Sequence, residues 1–236
     1  MSHKKASKAR KTLLFVGTIL LGFILFILPN LFFGITKING GLSGINLFYI
    51  ALFQVVSVSA LISFSLKKRG WNWHHIGWRK PSINHIVLGI IAGSTWLVIQ
   101  FYWLIPNTGG ASRPDVIQMV SLMDNSIITM LSYLSLGIIG GGITEEIFNR
   151  GYFIRGMEDL FSNKKIGVVS AAIMSILFFV LGHLPYDLIS TVDILVPTVI
   201  YTALFLATGS LVPSIVAHGL YNGIAIILVY LNYFQG

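Results

Sequence analysis

No cysteine occurs among the 236 residues, and charge is scarce: eight Asp and Glu with sixteen Lys and Arg make up only 10% of the chain. The first absence excludes a disulfide framework, a thiolate metal site and a cysteine nucleophile. The second excludes an ordinary soluble domain, in which roughly a quarter of residues are charged. A chain that is 55% hydrophobic with a mean hydropathy of +0.80 reads instead as an integral membrane protein. Internal repeats, linkers and low-complexity tracts are also missing, so residues 1–236 form a single integral membrane domain. The net charge of +8 does not point to nucleic acid, because the basic residues lie in short clusters between apolar runs.

What the sequence does contain is a succession of apolar runs, each close to the ~20 residues that cross a bilayer as a helix. They fall at 12–33, 45–66, 83–104, 126 to about 155, 166–183, 191–207 and 211–231. The expected fold class is all-α, a polytopic transmembrane helical bundle of seven spans, eight at most. The basic start (Lys4, Lys5, Lys8, Arg10, Lys11) precedes an apolar run longer than the ~7–15 residues of a signal peptide, with no small-residue cleavage site, so the first span is expected to be retained. The tail and the loops around 67–80 and 150–165 hold 14 of the 16 Lys and Arg; only Lys37 and Arg113 lie elsewhere. That asymmetry puts the N-terminus in the cytoplasm. Residues 106–125, with Asn107, Gly109, Gly110, Pro114 and Asp115, are expected to be an outer loop. Ser210 and Pro213 suit the cap and first turn of the last helix.

A charge at the centre of a membrane helix costs about 2.5–3.5 kcal/mol on insertion scales, so the few ionisable residues inside the spans need a reason to be there. The densest group is Gly140-Gly-Gly-Ile-Thr-Glu145-Glu146-Ile-Phe-Asn-Arg150; His183 and His218 follow, with Asn149 and Asn222 as nearby amides. Glu146 and Arg150 share a helix face and can form an ion pair, either buried or at a helix end that reaches the headgroups. Glu145 points about 100° away from Glu146. His218 and Asn222 also share a face, beside Gly219 and Gly223, which admit a close neighbour. That pair reads as an interhelical hydrogen-bonding unit or as donors to a ligand, and His183, next to Leu184-Pro185, as an interfacial histidine or a site residue.

Together these side chains can activate water. A carboxylate shielded from bulk solvent is a competent general base, a neutral histidine shares the water's proton, and a second histidine with an amide can stabilise a developing oxyanion. Glu145, His183 and His218 also have the ligand types of a catalytic zinc site, and type alone does not separate the two readings. Depth does constrain them. Counted along helices from flanking basic residues, Glu145 and His218 lie about 15 and 12 Å deep, but His183 about 27 Å. Joint action therefore requires a tilt, a break or a buried start in the fifth helix.

The blocks Glu145-Glu146-x-x-x-Arg150, Phe179-x-x-x-His183 and His218-x-x-x-Asn222, in this order on late spans, resemble the CPBP family, the CAAX protease and bacteriocin-processing or Abi family of intramembrane proteases, related to type II CAAX prenyl endopeptidases. The resemblance covers about residues 126–231. It implies Glu145 as general base with His183, an oxyanion site at His218 and Asn222, and supporting roles for Glu146, Arg150 and Phe179. It further implies a metal-independent glutamate mechanism with no cofactor, zinc being the alternative. The expected partners are the lipid bilayer and a peptide or membrane-protein substrate, in a multi-pass protein of a prokaryotic cell membrane, with a role in peptide maturation or bacteriocin immunity.

Two other classes compete. A non-catalytic immunity or signalling protein would bind its partner in the same cavity, and a small transporter would use Glu145 and His218 as a proton relay. The lack of repeat symmetry speaks against the transporter.

Overall fold

The computed structural model describes residues 8–234; Lys4 and Lys5 of the basic start lie outside the described residues. The helices are α1 (Lys8–Thr36), α2 (Asn46–Arg69), α3 (Ile83–Asn107), α4 (Pro114–Ser121), α5 (Ile127–Glu158), α6 (Lys164–Gly182), α7 (Leu188–Thr208) and α8 (Val212–Phe234). There is no strand among the described residues, and seven helices, all but α4, are long and apolar enough to cross a membrane. The chain is a multi-pass, all-α bundle. Large apolar side chains such as Leu20, Val56, Ile91, Val169 and Leu181 are exposed on its outer face, as a lipid-facing surface requires.

Local sequence sets the helix ends. Asn163 Oδ1 accepts from the backbone N–H groups of Lys165 and Ile166 to open α6, while Asp187 and Ser190 form a reciprocal capping box at α7. The expected cap at α8 is present: Val212 N–H donates to Ser210 Oγ at 3.3 Å, with Pro213 in the first turn.

One expectation needs correction. Residues 106–125 are more than a loop, because Pro114 occupies the first position of a helix and starts α4. The fourth span, α5, runs to Glu158 through wide turns over Leu136–Glu145 and Ile147–Phe153. Thr144 Oγ bonds the carbonyl of Ile139, five residues back, at 2.7 Å. Such widened turns rotate the residues beyond them and are frequent at functional sites.

Close packing then positions the site. A Cβ on Gly93 would lie 2.6 Å from the Ala217 carbonyl oxygen, and one on Gly142 would lie 2.7 Å from the Gly219 Cα. With no side chains at these crossings, α8 is wedged between α3 and α5 at backbone contact distance. This delivers His218 and Asn222 directly against α5.

The α5–α6 hairpin resolves the depth of His183. Gly167 sits against Glu158, and Ser175 Oγ donates to the Asn149 carbonyl at 2.9 Å, so His183 falls beside Glu145. Counting from Arg155 and Lys165 misjudges this because those residues are not opposite each other. Side chains on a helix also lean toward its N-terminus, so across this antiparallel pair Glu145 and His183 lean toward each other.

Candidate active site

Glu145 leaves α5 with its side chain 22% exposed, and its Oε1 lies 3.9 Å from Nε2 of His183. The His183 Nδ1 is 2.8 Å from the carbonyl oxygen of Phe179, which can only accept, so Nδ1 carries the proton. In the neutral ring Nε2 is therefore a bare acceptor. Two acceptors 3.9 Å apart do not bond each other, but a single water can donate one O–H to each.

Glu146, one residue on, faces inward and is fully buried together with Arg150. That burial excludes the reading of this pair as a helix end reaching the headgroups. Glu146 Oε1 lies 2.9 Å from Arg150 Nη1 and 2.9 Å from His218 Nδ1. The arginine contact is one of charge rather than an aligned hydrogen bond, since Nη1 and Nε have no hydrogen-bond partner. Its guanidinium lies 4.4 Å over the Phe179 ring, and Nη2 donates to the Thr198 carbonyl at 3.4 Å. Phe179 thus binds three parts of the site: its ring lies tilted against His183 at 4.3 Å, covers Arg150, and meets His218 edge-on at 6.3 Å.

His218 is held from three directions. Nδ1 is committed to Glu146, Tyr201 stacks on the ring at 4.9 Å, and Nε2 faces Gly141. Asn222, one turn on, donates one N–H of Nδ2 to the Gly137 carbonyl at 2.9 Å. A Cβ on Gly141 would lie 2.7 Å from Asn222 Nδ2 and 3.5 Å from His218 Nε2. The absence of that side chain leaves room for an acceptor atom within reach of both groups. His218 and Asn222 are not bonded to each other.

All four side chains line a cavity of about 510 Å³ that also reaches Asn30, Gln54, Gln118, Asp193, Thr198, Tyr201 and Tyr221. A second lobe of about 200 Å³ opens on the other side of Glu145 and His183, walled by Phe23, Phe26, Phe148 and Phe178. Glu145 and His183 thus stand on the partition between a polar chamber and an aromatic one. No three His, Asp or Glu side chains converge to hold one metal ion among the described residues, and the Phe179 ring packs against both imidazoles. The arrangement does not fit the three-ligand zinc site that the residue types allow.

Several lining residues escaped the sequence reading. Asn30 and Gln54 both donate to the Phe26 carbonyl, at 2.9 and 3.1 Å, and Gln54 Oε1 approaches Gly140. Lone amides in apolar spans are the available signal, and Asn30 and Gln54 lie far in sequence from the charged cluster. Tyr201 carried no such signal, being one aromatic residue among many.

The fold and site define a multi-pass membrane protein with a polar chamber inside the bundle. Residues 127–224 match the family model described as type II CAAX prenyl endopeptidase Rce1-like, and that stretch, which contains Glu145, Glu146, Arg150, Phe179, His183, His218 and Asn222, is similar to this family. The match agrees with the CPBP and CAAX protease resemblance of the three blocks. No curated protein and no solved structure matches the chain.

Proposed function

We propose that the protein is an intramembrane endopeptidase that hydrolyses a peptide bond with water activated by Glu145 and His183, without a metal or other cofactor. The observation that carries this reading is the 3.9 Å separation of Glu145 Oε1 and His183 Nε2 on the wall of a cavity that also presents His218 and Asn222. Water held between them donates to both, which raises electron density on its oxygen. As that oxygen attacks the substrate carbonyl carbon, one proton passes to Glu145 and the carbonyl oxygen becomes an oxyanion beside Gly141. Asn222 offers its second amide N–H there. His218 offers an Nε2–H when both ring nitrogens carry a proton, with Nδ1–H donating to the buried Glu146 carboxylate at 2.9 Å. The C–N bond then breaks, and the proton held by Glu145 passes to the leaving amine.

The substrate proposed is a membrane-associated peptide or protein segment entering the polar chamber, in a prokaryotic cell membrane, with the product a matured peptide or an inactivated bacteriocin. Purified protein is incubated with a library of membrane-inserting peptides and the products are identified by mass spectrometry. Glu145→Gln and His183→Ala are each expected to lose cleavage on the order of 10²–10⁴-fold, the usual contribution of a positioned acid–base group. Cleavage at the wild-type rate in either folded variant defeats the reading and favours a binding protein using the same cavity.

A further inference from the structure

A third cavity, of about 570 Å³, lies away from the site, between the segment that follows α2 and the start of α8. Its floor is apolar, formed by Pro81, Ile86, Leu211, Val212, Ile215 and Val216, and its rim carries Trp78, His74, Arg79 and Lys80. No acidic side chain among the described residues lines it. Among the described residues, Arg79 and Lys80 have neither a hydrogen bond nor an ion pair, and both are exposed. Arg79 Nη2 and Arg155 Nη2 both flank Gly209, 3.5 and 3.8 Å from where a Cβ on it would stand. Arg155 is paired with Glu158 at 2.8 Å, so the charge left uncompensated is that of Arg79 and Lys80.

The rim is fixed rather than loose. Leu211 N–H donates to the Gly77 carbonyl at 2.9 Å, which ties the rim segment to the first turn of α8, and Asn72 with His75 caps the turn Trp73–Ile76. The floor continues onto the exposed side of α3 through Ile83, Val87 and Ile90, a surface facing the bilayer. Trp78 on the rim packs edge-on against Trp73, with ring centroids 6.0 Å apart, and tryptophan is a residue type that settles at the membrane interface. An apolar slot open to lipid, beneath two unpaired cations at interfacial depth, matches a ligand with a hydrocarbon chain and an anionic head.

We propose that this cavity binds one anionic phospholipid, its phosphate against Arg79 and Lys80 and one acyl chain along Ile86, Val212 and Ile215. The site is independent of the proposed hydrolysis. The intact protein is reconstituted in nanodiscs of equal parts phosphatidylglycerol and phosphatidylcholine, released, and examined by native mass spectrometry for retained lipid. Wild type is expected to retain one phosphatidylglycerol in preference to phosphatidylcholine, on the order of tenfold or more, as two cations beside an anionic headgroup imply. Arg79→Ala/Lys80→Ala is expected to lose the preference. Lys80→Ala alone, at an exposed position, weakens it, and Val212→Trp, which fills the slot, reduces retention of either lipid. Lys164→Ala/Lys165→Ala, a basic pair elsewhere, leaves the preference unchanged, and excess inorganic phosphate does not displace the lipid. Equal retention of the two lipids by wild type overturns the proposal, as does displacement by phosphate, or a preference that survives in the folded Arg79→Ala/Lys80→Ala protein.

Discussion

His218 gives its Nδ1 to Glu146, at 2.9 Å, and not to Asn222, its neighbour on the same helix face. The second glutamate of the Glu145-Glu146 pair thus belongs to His218, and the first lies nearest His183. Two carboxylates adjacent in sequence serve two different imidazoles because successive helix positions point about 100° apart.

The buried cluster of Glu146, Arg150 and His218 is a stability element as well as a scaffold. Glu146→Gln leaves the Arg150 charge buried without its anion, and breaking such a pair costs about 3–5 kcal/mol. Thermal unfolding in detergent is expected to shift down markedly, with Arg150→Lys also destabilised through loss of the Phe179 and Thr198 contacts. An unchanged unfolding temperature in both variants contradicts the account of this cluster.

Gly141→Ala tests the oxyanion position directly. Its new methyl group would stand 2.7 Å from Asn222 Nδ2 and displace an acceptor from that spot. Cleavage is expected to fall about 10²–10³-fold, the usual effect of losing an oxyanion donor. Gly17→Ala, where nothing lies within 4 Å, serves as a neutral comparison. Equal rates for the two variants remove Gly141 from the site.

Metal independence has a plain test. Cleavage is expected to persist after prolonged chelation, and elemental analysis of active protein to find zinc far below one ion per chain. Activity that tracks zinc content would require Glu145, His183 and His218 to regroup around the ion, contrary to their arrangement about Phe179.

At the far end of the chamber, Arg113 pairs with both Asp115 and Asp193 and is buried, tying the start of α4 to α7. Gln118, Met119 and Leu122, on or just beyond α4, line the chamber. Asp193→Asn removes one anchor, and limited proteolysis within 109–125 is expected to quicken several-fold. Unchanged proteolysis means that α4 is held by its apolar contacts alone.

The seven spans were legible because hydrophobic length is a one-dimensional property, and the caps at Ser210 and Pro213 because they are local chemistry. The three blocks could be read for the same reason, each lying within one or two helix turns. Long-range register was not legible: the placement of His183 beside Glu145 depends on Gly167 meeting Glu158 and on the widened turns of α5. Nor did spacing reveal that His218 pairs with Glu146, since that contact exists only once Gly142 and Gly219 allow α5 and α8 to touch. The segment 106–125 misled because Pro114 breaks a chain in one context and starts a helix in another.

The central claim is that Glu145 and His183 act on one and the same water, and a double-mutant cycle addresses it most directly. Cleavage of one peptide is measured for wild type, Glu145→Gln, His183→Ala and the double variant, each shown to be folded by thermal unfolding. Groups that act as a unit lose little more together than singly, so the double variant is predicted to cleave no more than about tenfold more slowly than the slower single variant. Losses that multiply across the two positions would contradict joint action on one water.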